Sequence, residues 1–330
     1  MKKPRLENRQ FSAGHQSEHR VLLTGGAGYI GSALSSWLLQ AGWSVTVFDT
    51  MGHGHVPASR PGLRIVDGDI RDARTVRAAL KGHESVIHLA FLSTDRPYDG
   101  SASLAYSVNI DGLRILIDAA LSAGVRRIIF PSSCSVYGHS CADRDTDETS
   151  PVNPLTAYAE HKLACEAMLG TASPLVHVVP RLATVCGRAP RQRLDLAINR
   201  FTLQAVVERT IRVVGPANTR PCLHIDDACS LYVKLLVAPD SVINGRILNA
   251  AFENRTLFKT ALCVANSVGG ADIVCVPDHP GRSYMISSDQ LRRTLDFAPA
   301  RCAQDAVRDI AAAIVSGTLK GPFNTGLFNN

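Results

Sequence analysis

The chain has 330 residues, 45% hydrophobic and 19% charged, the composition of a globular protein of one large or two intimately joined domains. No stretch approaches the ~18 consecutive apolar residues of a membrane span. The start, MKKPRLENRQFSAGHQSEHR, is basic and polar and lacks the apolar middle of a secretory signal. Nine cysteines without CxxC pairs or metal-ligand spacing suit reduced thiols in a cytoplasm better than a disulfide framework.

The net charge of +6 is confined to one region. Residues 1–180 hold 17 Lys and Arg against 17 Asp and Glu, and residues 222–330 hold 10 against 10. Residues 181–221 carry eight arginines, no lysine, and only Asp195 and Glu208 as acids. So local an excess points to a pocket for one anionic small molecule rather than a nucleic-acid face, because arginine forks suit phosphate oxygens. Each single arginine there is also at home on a solvated surface.

In chain order, residues 1–19 are expected to be a disordered leader. Strands are predicted at Arg20–Thr24, Val45–Asp49, Leu63–Val66, Val86–Ala90, Ile128–Ser132 and Val176–Pro180. Helices are predicted at 29–41, 72–81, 102–123 and 156–169. Nearly continuous apolar strands alternating with helices indicate a parallel sheet covered on both faces. Past residue 181 the strands shorten and helices near 194–208, 226–237, 256–267 and 302–316 are irregularly spaced. The expectation is an α/β fold: a Rossmann-type doubly wound parallel sheet over 20–181, completed by part of 222–250. A smaller interleaved substrate domain then lies mainly in 182–330.

The first strand runs into Thr24-Gly25-Gly26-Ala27-Gly28-Tyr29-Ile30-Gly31. Glycines at 25, 28 and 31 permit a tight turn, admit a pyrophosphate against backbone N–H groups, and pack the helix on the strand. The helix N-terminus then faces the phosphates. The second strand ends in Asp49, whose carboxylate can accept both adenosine ribose hydroxyls and would repel a 2′-phosphate, which favours NAD over NADP. Asp69 closes the third strand, where an adenine would lie.

Tyr158 and Lys162, four apart on a predicted helix, share a face. A free tyrosine titrates near 10. An ammonium about 4 Å away stabilises the phenolate by roughly 4 kcal/mol at an effective dielectric near 20, which brings the tyrosine towards the working pH of a general base. The strand end Pro131-Ser132-Ser133-Cys134-Ser135-Val136-Tyr137-Gly138 supplies hydroxyls that can hold a substrate oxygen while its proton leaves.

The order of Thr24–Gly31, Val86-Ile87-His88-Leu89-Ala90, Val108–Gly112, Ser132–Gly138, Tyr158–Lys162 and Leu223-His224-Ile225-Asp226-Asp227 resembles the extended short-chain dehydrogenases/reductases over roughly 20–300. Within them it is similar to the NAD-dependent nucleotide-sugar epimerases and dehydratases. The resemblance implies Ser133 as the catalytic hydroxyl, Tyr158 as the base, and Lys162 as its partner and a hydrogen-bond donor to the nicotinamide ribose. It implies NAD contacts from Gly25, Gly28, Tyr29, Ile30, Gly31, Asp49, Asp69, Ile70, Leu89, Ala90, Phe91 and Asn109, and substrate contacts from Asn199, Arg220 and Arg282. It also implies a homodimer built on helices 102–123 and 156–169. The 4,6-dehydratases place Asp and Glu directly after the catalytic hydroxyl; here Cys134 and Ser135 stand there, which favours a 4-epimerase-type reaction on a nucleotide-diphosphate sugar. The alternatives are a dehydrogenase, reductase or decarboxylase of the same fold, and an NAD-binding sensor without catalysis. Cys134 and Tyr137 are expected to be packing residues, and Arg191 a solvated loop arginine. Phe91 stands where the resembling enzymes have a small residue, and Thr184 where they often have an asparagine.

Overall fold

The computed structural model describes residues 19–52, 56–93, 101–139, 146–277 and 283–319. Nearly all of the expected leader and Arg282 lie outside the described residues. Strands β1 (Arg20–Thr24), β2 (Ser44–Asp49), β3 (Leu63–Asp67), β4 (Ser85–His88), β5 (Arg127–Ile129), β6 (Ser132–Ser133), β7 (Val176–Leu182) and β11 (Arg246–Ala250) form one parallel sheet. Its order is β11-β7-β5-β4-β1-β2-β3, with β6 beside β7. Strand direction and the crossover helices between strands make it doubly wound, a Rossmann-type α/β fold.

The helices are α1 (Tyr29–Gln40), α2 (Ala73–Leu80), α3 (Ser101–Tyr106), α4 (Gly112–Ala123), α5 (Ala157–Gly170), α6 (Ala197–Val207), α7 (Ile225–Val237), α8 (Asp240–Ile243), α9 (Leu257–Ser267), α10 (Asp289–Leu295) and α11 (Ala303–Val315). Alternation along β1 divides the core. Val21 and Leu23 join the apolar cluster that includes Leu34 and Leu38 of α1 and Leu231 and Leu235 of α7. Leu22 joins Val76, Leu113, Leu116 and Leu169 of α2, α4 and α5 on the other face. A third cluster lies among α6, α9 and α11, through Phe201, Val264 and Val307. There β8 (Thr184–Cys186), β10 (Thr219–His224) and β12 (Glu253–Thr256) make a three-stranded sheet, and β9 (Thr210–Val214) pairs with β13 (Asp272–Val276). Among the described residues no helix is long and apolar enough to cross a membrane.

Two sequence expectations need correction. The predicted strand Ile128–Ser132 is two pieces, because Pro131 has no N–H to give the ladder. The chain leaves the sheet after Ile129 and rejoins it for Ser132 and Ser133 beside Arg181 and Leu182. The predicted helix 102–123 is α3 and α4 joined through a π-helical turn, Ser107–Asp111, a wide turn that carries Asn109.

Candidate active site

The glycine turn meets the sheet at very short range. Gly25 has φ +68°, and a Cβ there would lie 2.4 Å from the Ala90 nitrogen. At Gly31 a Cβ would come within 2.6 Å of the Gly26 Cα, so only glycine lets α1 sit this close to the turn. Asp49 locks the turn from the side. Its Oδ2 accepts the Ala27 N–H at 3.0 Å and its Oδ1 the Met51 N–H at 3.0 Å.

Two cavities open from this turn and share Gly25, Gly28, Leu89 and Phe91. One, about 350 Å³, is lined by Asp49, Asp69, Ile70 and Ala90. Arg71 pairs with both Asp69 oxygens, and that hydrogen bonding holds the Asp69 carboxyl below the usual carboxylate range. The other, about 330 Å³, is lined by Tyr29, Ile30, Gly31, Ser133, Ser135, Tyr158 and Lys162. A bare backbone cradle at a helix N-terminus, an acid at the far end and a Tyr–Lys pair at the near end fit a dinucleotide laid across the turn.

Ser133 caps the short 3-10 turn Cys134–Tyr137. Its Oγ accepts both the Ser135 N–H at 3.2 Å and the Ser135 hydroxyl at 2.9 Å. Helix α5 starts at Thr156, whose hydroxyl accepts the Ala159 N–H, and its face presents Tyr158 and Lys162 to the same cavity. Lys162 is 4% exposed. Its Nζ donates to the Pro131 carbonyl at 2.7 Å and lies 5.8 Å from the Tyr158 ring centre. Burial pulls its pKa down to about 7.

Behind this wall runs a buried polar network. Arg181 grips Glu166 of α5 with Nε–Oε1 at 3.0 Å and Nη2–Oε2 at 2.6 Å. Ser132 donates to the same carboxylate, and Arg181 donates to the Tyr137 hydroxyl at 2.8 Å, which donates to Asn249 at 2.8 Å. Tyr137 is therefore a strut of the network. Cys134 is fully buried, donates its thiol to the Arg181 carbonyl, and is held far from ionisation by burial.

Three placements differ from the sequence expectations. Arg191 is 4% exposed and lines the cavity of the Tyr–Lys pair with Arg193, Arg220, Thr184 and Tyr284; it is no solvated loop residue. The Arg191 N–H donates to Ser32 on α1. Gln192 and Asn199 brace the same loop through Gly187 and Arg193. Asn199 is accordingly committed inside: fully buried, it binds the Gly187 N–H, the Arg193 carbonyl and the Tyr29 hydroxyl, and lines neither cavity. Asn109 also lines neither cavity; its amide holds the Leu92 N–H at 2.8 Å and the Leu92 carbonyl at 3.1 Å. Ser135 belongs to the strand-end run of hydroxyls, whereas Arg193 and Tyr284 are not singled out by the sequence. The arginine excess over 181–221 signals Arg193, and no pattern signals Tyr284.

A profile of the NAD-dependent epimerase/dehydratase family matches residues 21–251. A dTDP-glucose 4,6-dehydratase of Streptomyces niveus is 31% identical over 300 residues, 85% of this chain and 88% of the relative. A UDP-glucose 4-epimerase of Azospirillum brasilense is 27% identical over 320 residues, 87% of this chain and 89% of the relative. The crystal structure of DesIV, a dTDP-glucose 4,6-dehydratase of Streptomyces venezuelae with NAD and TYD bound, superposes with a TM-score of 0.82 at 25% identity, covering 92% of this chain and all of that one. The profile match, the fold and the motif order agree: the chain belongs to the NAD-dependent epimerase/dehydratase family, among the extended short-chain dehydrogenases/reductases.

Proposed function

We propose that the protein is an NAD-dependent 4-epimerase of a nucleotide-diphosphate sugar. One observation carries the choice of reaction. Among the described residues, no Asp or Glu lines the cavity that holds Ser133, Tyr158 and Lys162. Eliminating a sugar hydroxyl as water requires an acid beside the leaving oxygen. Cys134 is sealed in the core, and Ser135, the residue after it, offers only a hydroxyl. Oxidation and re-reduction at one carbon needs a single base and a single hydrogen-bond donor, which this cavity supplies.

NAD, when bound across the glycine turn, supplies the hydride acceptor and donor. Tyr158 removes the proton from the reacting sugar hydroxyl and later returns it. The Lys162 ammonium favours the phenolate and donates to the nicotinamide ribose. Because Ser133 Oγ already accepts two hydrogen bonds from Ser135, its own proton is directed to the sugar oxygen. Arg191, Arg193 and Arg220 line the same cavity and suit the diphosphate. Support for a homodimer comes from Leu104 and Tyr106 on α3 and Leu121 on α4, 43%, 50% and 38% exposed. The eight described cysteines are all free, which supports a reducing compartment.

The test is to incubate purified protein and NAD with UDP-glucose and with dTDP-glucose, following sugar stereochemistry by proton NMR and NADH by absorbance. The C4 epimer should appear with no net NADH. A product lighter by one water would establish a dehydratase instead, and stoichiometric NADH a dehydrogenase.

A further inference from the structure

The Lys162 ammonium sits in an unusual enclosure. It is almost wholly buried, and a buried charge requires compensation. No carboxylate among the described residues pairs with it: Glu166, one turn further along α5, binds Arg181 and Ser132 instead. Among the described residues Lys162 donates to the Pro131 carbonyl. Two aromatic faces also lie beside it. Nζ lies 3.6 Å from the ring centre of Phe91 and 4.5 Å from that of Phe130, both inside the ~6 Å range of cation–π attraction. Phe91 also meets the Tyr158 ring edge-on, with centres 5.5 Å apart and planes at 89°. One ring thus touches both members of the pair. Its backbone is fixed next door, where Asn109 holds Leu92 by both its N–H and its carbonyl.

We propose that Phe91 is a positioning residue for the Tyr158–Lys162 pair, its face holding the ammonium and its perpendicular contact holding the phenol ring. The proposal rests on the roles assigned to Tyr158 and Lys162 above. Phe91 does the fixing that a carboxylate partner would do, without adding a negative charge that would oppose phenolate formation at Tyr158. Its place at the junction of the two cavities puts it where the ammonium must be held still to reach the nicotinamide ribose.

The test compares Phe91→Leu, which fills similar space without a π face, with Phe91→Tyr, which keeps the face. NAD affinity is read by calorimetry at about pH 6.5, where Lys162 carries its charge in the free protein, and turnover with the UDP-glucose or dTDP-glucose probe that wild type converts. The leucine variant should lose roughly 3- to 30-fold in NAD affinity and in kcat, with substrate KM little changed. The tyrosine variant should stay within about twofold of wild type on both. A leucine variant that matches wild type in NAD affinity overturns the proposal, and so does a tyrosine variant as impaired as the leucine one. A double-mutant cycle with Lys162→Met adds a second reading, since the cost of Phe91→Leu in NAD affinity should disappear once the ammonium is gone. If Lys162→Met itself leaves NAD affinity and turnover intact, it is the assigned role of Lys162 that fails.

Discussion

Glu166 and Arg181 form a two-pronged ion pair in which both side chains are 4% exposed. The pair joins the helix that carries Tyr158 and Lys162 to the strand beside Ser132 and Ser133. Removing one partner leaves a buried charge uncompensated, which costs about 3–5 kcal/mol. Arg181→Met should therefore lower unfolding stability by that order in urea titration. Pairing it with Glu166→Leu should recover much of the loss, because no lone charge then remains. A double variant no more stable than the single one would show that the network acts by something other than charge balance.

Asp49 is expected to select NAD. Asp49→Ser should weaken NAD and relatively improve NADP, read by calorimetric titration of both. The carboxylate also accepts the Ala27 and Met51 N–H groups, so part of the NAD loss comes from a looser glycine turn. Asp49→Asn keeps one acceptor oxygen for the turn and removes the charge, so its shift towards NADP isolates the electrostatic part. A wild-type preference for NADP of tenfold, about 1.4 kcal/mol, contradicts this assignment.

What sequence could reveal follows from the range of the contacts involved. Gly25, Tyr158, Lys162 and the Ser133 strand end stand in local patterns, a strand-to-helix turn, an i,i+4 face and a strand terminus, and local patterns are legible. Arg191 and Asn199 are held by partners far along the chain, the Arg191 N–H by Ser32 and the Asn199 amide by the Tyr29 hydroxyl. Asn109 turns to Leu92 near the start of the same β4–β5 connection. No periodicity records such choices. The short strands β8, β10 and β12 were illegible for the same reason, since β10 and β12 pair with strands from separate stretches of chain rather than in a hairpin of strong turn residues.

Ser135 stands 2.9 Å from the hydroxyl it serves. Ser133→Ala should cost less than loss of the base, because the Ser135 hydroxyl remains to donate to a sugar oxygen. Ser135→Ala should lower kcat modestly, by leaving the Ser133 proton less directed, a hydrogen bond being worth about 1 kcal/mol. The double variant should fall well below either single one. If Ser133→Ala alone already equals the double variant, Ser135 offers no substitute donor.

Tyr158→Phe removes only the ionisable oxygen and leaves the ring that meets Phe91 at right angles. Fold and NAD affinity should survive while turnover drops by ~10²–10⁴, the range for loss of a general base. Near wild-type turnover in this variant with any nucleotide sugar that the wild type converts would falsify the mechanism.

Lys162 gives a prediction about stability that needs no substrate. In the free protein burial lowers its pKa from the ordinary 10.5 to about 7. Below about pH 7 both native and unfolded chains carry the proton, and the cost of burying the ammonium is constant. Between about 7 and 10.5 the native lysine has released its proton while the unfolded one keeps it. The unfolded state then binds more protons, so stability rises with pH, by at most about 1.4 kcal/mol per pH unit. Lys162→Met removes this contribution and leaves the other titrating groups in place. Urea unfolding of both proteins at about pH 6.5, 8 and 9.5 should show wild type gaining on the variant as pH rises. A difference that stays flat, or moves the other way, would mean that Lys162 keeps its charge in the folded protein throughout. The aromatic faces of Phe91 and Phe130 would then compensate the ammonium far better than burial penalises it.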